Sequence, residues 1–126
     1  MEHTYRMKVS IGPYRKNRAE RVIIEPHDTY NMDQTLAMII HPMLVQLKET
    51  KHGYPSELSD ERWDQILDEM IWAFGQKVKH IDPLDQCHDK CANFGDPVCK
   101  ACLDETQQRM TAAFKLFGEY YEALWD

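Results

Sequence analysis

The sequence predicts an α+β domain: an N-terminal two-stranded antiparallel ribbon packed on three long helices, with a cysteine-rich loop between the second and third helix. Three observations predict it. Tyr5 to Ile11 alternates apolar and polar residues, the period of a strand with one buried face. Three later stretches repeat apolar residues at steps of three and four, the period of a helix with one buried face. All four cysteines fall within residues 87–102.

The ribbon comes first, over about 4–25. Tyr5, Met7, Val9 and Ile11 share one side, while Arg6, Lys8 and Ser10 share the other. Gly12-Pro13 ends this strand. A second β-branched run, Val22-Ile23-Ile24, stops at Glu25-Pro26 because proline cannot donate to a ladder. The connection from Gly12 to Ala19 is too long for a two-residue turn and predicts a protruding loop. A lone ribbon is marginal in water, so it must pack on a helix or pair with another chain. The second option is the first indication of a homo-oligomer.

The first helix is expected over about 32–52. Asn31 suits the N-cap, with Gln34 as the reciprocal partner of a capping box. Leu36, Ile39, Ile40, Met43, Leu44 and Leu47 form its apolar stripe. Lys48, Lys51 and His52 complement the negative end of the dipole, Gly53 supplies a left-handed closing residue, and Pro55 blocks continuation. Pro42 lies inside the run; it removes a hydrogen bond and crowds the Met38 carbonyl, which predicts a kink near His41.

The second helix is expected over about 60–79, capped by Ser59 and stapled by Leu58 and Trp63. Its stripe is Trp63, Ile66, Leu67, Met70, Ile71, Phe74 and Val78. The third, over about 104–124, carries Leu103, Met110, Phe114, Phe117, Tyr121 and Leu124, with the small Ala113 leaving room for a neighbour and Gly118 as a weak point or a close approach.

At 126 residues, with 43% apolar and 29% charged, the chain reads as one globular domain over 1–126. No apolar run reaches the ~20 residues that cross a bilayer, and no basic start with an apolar core and cleavage site marks a secreted route. Fifteen basic against twenty-one acidic residues, a charge of −6, argue against coating duplex nucleic acid by bulk charge.

Cys87, Cys91, Cys99 and Cys102 are spaced C-x3-C-x7-C-x2-C. Thiolates are strong soft ligands, and Asn93, Gly95 and Pro97 supply bends that bring one pair round to the other. A structural zinc is the expectation; His88 or His80 replacing one sulfur, four reduced thiols, or two disulfides are the alternatives. Four sulfurs leave no open position for substrate, so such a zinc would staple a loop.

Other chemistry is sparser. Arg15, Lys16, Arg18 and Arg21 crowd one loop, which could grip the phosphates of a nucleotide or nucleic acid, or else be a solvated loop tip. Asp64, Asp68 and Glu69 read as surface charge before they read as an acid–base pair. The histidines form no H-x3-H or H-E-x-x-H motif, His41 and His52 read as helix-end residues, and no glycine-rich phosphate loop or G-x-S-x-G elbow occurs. Cys87 and His88 are sequence neighbours, a poor arrangement for nucleophile and base. The expectation is no enzyme.

Three stretches, DQTLAMIIHPMLVQLKETKHG at 33–53, WDQILDEMIWAF at 63–74 and RMTAAFKLFGEYYEALWD at 109–126, resemble a family of small uncharacterised proteins found widely in tailed bacteriophages. The resemblance implies a viral origin and the host-cell cytoplasm, or the virion, as the place of action, and it brings no catalytic residues. The cysteine block departs from that family. Asp33, Lys48, His52, Asp68, Glu69 and Arg109 are the polar members of these stretches and the candidates for a ligand pocket. The expected function is a non-enzymatic phage binding or assembly protein, a homo-oligomer contacting a phage or host protein, with no membrane partner. The alternatives are a sponge for a nucleotide-type defence signal and a small zinc-stabilised nucleic-acid-binding regulator.

Overall fold

The computed structural model describes residues 23–79 and 97–126, the side chains of 97–99 excepted. Among these residues the fold is helical: α1 is Met32–Thr50, α2 is Asp60–Val78 and α3 is Pro97–Glu119, with short 3-10 turns at Pro26–Thr29 and Tyr121–Ala123. No strand occurs among them, which overturns the α+β class. The expected first strand and its loop lie outside the described residues. The end of the second does not: Ile23 and Ile24 are 67% and 61% exposed and carry no regular structure. Instead of a ladder, the Glu25 backbone N–H donates to the Asp28 carboxylate at 2.8 Å, closing the chain into the turn that leads to α1. A run of β-branched residues makes a strand only where a neighbour accepts its backbone groups.

α1 runs unbroken through Pro42. Its ends differ from expectation. Asn31 makes no side-chain cap bond, and the helix closes at Lys51 in extended geometry (φ −61°, ψ 145°), with the Lys51 N–H donating to the Leu47 carbonyl. Gly53 therefore supplies no left-handed closure. α2 follows its sequence signals closely. The Ser59 hydroxyl accepts from the Arg62 N–H at 3.1 Å, Asp60 and Glu61 occupy the first turn, and Lys77 the last. α3 starts seven residues before the expected 104, with Pro97 in its first turn, so Cys99 and Cys102 belong to the helix and not to a preceding loop.

α2 is the centre. Trp63, Ile66, Leu67, Met70, Ala73 and Phe74 are buried on it, joined by Ala37 and Leu44 from α1 and by Met110 and Ala113 from α3. Phe74 meets Phe114 and Phe117 edge-on at 5.2 and 5.0 Å, and Trp63 meets Tyr120 in the same way at 5.6 Å. α1 and α3 each pack on α2, and their backbones do not approach one another. Pairing of each helix's end with its neighbour's start makes both packings antiparallel.

One close approach went unsignalled by periodicity. At Gly75 a Cβ would sit 3.2 Å from His41 Nε2, so the absence of a side chain admits the His41 ring of α1 against α2. At Gly118 an added Cβ would meet nothing, so that glycine serves no close approach.

Candidate functional site

The polar candidates of the three helices come together, but as ties between helices. Lys48 on α1 pairs with Asp68 on α2. Lys51, whose side chain is only 12% exposed, reaches Asp60 at 2.9 Å and Asp64 at 3.0 Å. At the other end Asp33 meets Lys77 at 3.5 Å. The Asp68 hydrogen bond raises Lys48 above its usual pKa, and those of Asp60 and then Asp64 do the same for Lys51. Arg109 on α3 grips Glu69 on α2 with both Nε and Nη2, at 3.1 and 3.0 Å, while its guanidinium lies 3.8 Å over the Trp72 ring. This fork raises Arg109 in turn.

His52 and Asp126 make the last tie. The His52 backbone N–H donates to Asp126 Oδ1 at 2.9 Å, and the ring Nδ1 lies 3.0 Å from the same oxygen. These contacts, the ring bond foremost, hold the Asp126 carboxyl below its usual value. They fasten residues 121–126 to the end of α1. A small cavity of about 270 Å³ lies beneath, between Gly53-Tyr54-Pro55, Trp63 and Trp125.

All six polar candidates of the helical stretches are thus engaged with an oppositely charged or hydrogen-bonding partner within the chain. Lys48 and Arg109, the cations that a phosphate would need, face carboxylates. Arg15, Lys16 and Arg18 lie outside the described residues, as do Cys87 and Cys91. Cys102 is disulfide-bonded, and among the described residues no group of three or more His, Cys, Asp or Glu side chains is placed to hold a metal. A sulfur in a disulfide is not a thiolate ligand, so zinc and this bond are exclusive uses of Cys102.

The surface that stands out was hidden in the α1 stripe. Sequence placed Leu36, Ile40, Met43, Leu44 and Leu47 on one face, but only Leu44 and the unremarked Ala37 are buried. Leu36 and Met43 remain 40% and 56% exposed. They form one wall of a cleft of about 780 Å³ between α1 and the end of α3, with Phe117, Tyr121 and Leu124 opposite. Its lining includes one charged residue, Asp126, and no cation. The cleft exists because α1 and α3 both sit on α2 without meeting. Wide apolar stripes on two helices whose backbones stay apart were the signal that could have revealed it.

A scan against protein-family models finds no match to this chain, and searches of curated proteins and of solved structures find none either. No helix among the described residues is long and apolar enough to cross a membrane.

Proposed function

We propose that this chain is a non-enzymatic binding protein, a phage component or accessory factor that works by contact with protein partners and self-associates through the cleft between α1 and α3. The observation that carries the reading is the cleft: Leu36, Met43 and Tyr121 stay 40–64% exposed on two facing walls, in a molecule that buries Trp63 and Met70 almost completely. Contiguous exposed apolar surface of this kind favours a protein contact. The sponge reading draws no support from the helix candidates, since Lys48 and Arg109 pair with carboxylates and the cleft's single charge is negative.

Light scattering over a concentration series tests it. Self-association is expected, and Met43→Asp should abolish it with helix content unchanged. A strict monomer at every concentration would overturn the self-association.

The cysteine block belongs to the same reading as a staple. A structural zinc on Cys87, Cys91, Cys99 and Cys102 requires the reduced protein, since Cys102 is disulfide-bonded here. Elemental analysis after reduction should find one zinc per chain, lost on oxidation. Reduced protein without metal would leave disulfides as the staple.

A further inference from the structure

We infer that the cavity beneath the His52–Asp126 tie binds a quaternary ammonium group, the head of a small choline-like cation, against Tyr54, Trp63 and Trp125 and beside the Asp126 carboxylate. The inference does not depend on the cleft and stands whether or not copies associate there. Three observations select this ligand.

The first is the lining. Three aromatic side chains border one small hollow: Trp63, 2% exposed, at its base, and Tyr54 and Trp125, 52% and 76% exposed, toward solvent. Aromatic faces carry negative charge density and attract a cation. A quaternary ammonium group has no N–H to satisfy, whereas a compact ammonium holds its water strongly, so the methylated cation suits such a hollow better.

The second is charge. Asp126 is the single carboxylate among the described lining residues, and no lysine or arginine accompanies it. Both His52 contacts fall on Oδ1, at 2.9 and 3.0 Å, so Oδ2 keeps no bond to a described residue. The same contacts hold the carboxyl below its usual value, which leaves a full anion at neutral pH. Lys51 is turned to Asp60 and Asp64 and does not compete for it. A phosphate would face a carboxylate here, and a neutral apolar group would cover that carboxylate without compensation.

The third is size. About 270 Å³ falls below the ~300–1,000 Å³ of pockets that hold drug-sized molecules, so the cavity admits a head group and not a nucleotide. Its walls are set before binding. The Leu58 N–H donates to the Pro55 carbonyl at 2.9 Å on one side, the Trp125 N–H donates to the Ala123 carbonyl at 3.0 Å on the other, and the His52–Asp126 tie joins the two. A preformed site loses little affinity to ordering.

The experiment titrates choline into the full isotope-labelled chain and follows the indole N–H signals of its tryptophans by NMR, with sodium chloride of equal ionic strength as the blank. Trp72 lies under Arg109 on the α2/α3 seam and is the internal control. A saturable shift of Trp63 and Trp125 at millimolar choline, with Trp72 unmoved, is expected. No saturable shift, or an equal shift of Trp72, would overturn the inference. Dimethylbutanol keeps the shape of choline with carbon in place of the charged nitrogen, and its binding as tightly as choline would reduce the site to an apolar crevice. Trp125→Ala should weaken choline about two- to fivefold. Asp126→Asn keeps an oxygen for the His52 N–H and removes the charge; it should weaken choline about fivefold and leave dimethylbutanol unchanged. Choline affinity unchanged in both variants would place the cation elsewhere and overturn the site. Phosphocholine carries the same head with a phosphate and should bind more weakly than choline. Tighter binding would overturn a free cation as the ligand in favour of a lipid head group.

Discussion

The two sides of α1 meet very different fates. Toward α2, Ala37 and Leu44 are buried and the helix is laced by Lys48–Asp68, Lys51–Asp60, Lys51–Asp64 and Asp33–Lys77. Toward α3, Leu36 and Met43 of the same apolar stripe line an open cleft. Composition does not distinguish the sides; position relative to the central helix does. Apolar residues stabilise the fold only in proportion to the area they remove from water, so the first seam holds the molecule together and the second leaves surface available for contact.

The largest test of that contrast is a pair of truncations. Leu67 is fully buried at the heart of α2, and Leu67→Ala should cost about 2–5 kcal/mol by urea unfolding. Met43→Ala, on the cleft wall, should change monomer stability by no more than about 0.5 kcal/mol. Equal costs would mean that the cleft is closed in solution.

Next in size is the α2/α3 seam. Glu69→Gln breaks the two-point grip of Arg109 and should cost about 0.5–1.5 kcal/mol, since both side chains are roughly half exposed and solvent screens them. Arg109→Lys should not restore it, because an ammonium offers neither the planar fork nor the same stacking on Trp72. Full stability in Arg109→Lys would reduce the fork to an ordinary surface pair.

How far the sequence foretold these seams depended on how local the signal was. α2 was legible because its cap, staple, dipole charges and stripe all lie within one contiguous run. Asn31 and Gly53 misled because a residue suited to a cap makes one only if the backbone takes that geometry, which the neighbouring turns decide. The strand pattern misled at Ile23 and Ile24 for a similar reason: they carry no regular structure, and no strand occurs among the described residues. Which half of a wide stripe is buried is a non-local fact, set by where α3 lies, and so the cleft could not be read from α1 alone. The polar residues of the helices were named as candidates for a ligand pocket, whereas the structure engages them in ties within the chain, with partners twenty to seventy-four positions away.

Acid and alkali act on different parts of this network. Asp126 titrates below its ordinary 3.8, so its contact with His52 is fully present above that value and is lost as pH falls through the lowered one. Trp125 fluorescence should report release of residues 121–126 below pH 3.8, a step absent in Asp126→Asn. Lys48 and Lys51 titrate above 10.5, so their ties are fully present below that pH and fail as it rises through the raised values. Protonation of Asp126 should therefore loosen the cleft's α3 wall in acid, and deprotonation of Lys48 and Lys51 should loosen the α1/α2 seam in strong alkali.

The smallest effects separate the two helical glycines. Gly118 faces open space, so Gly118→Ala should stabilise by about 0.5–1 kcal/mol through helix propensity alone. Gly75→Ala gains the same propensity but drives a methyl to 3.2 Å from the His41 ring, which must move. Its benefit should vanish or reverse in the native background and return once His41→Ala has cleared the ring. That dependence is a coupling between α1 and α2, measurable as a double-mutant cycle. Additive effects of Gly75→Ala and His41→Ala would show that the ring does not rest on Gly75, and that the tight side of α1 is held by its apolar residues and ion pairs alone.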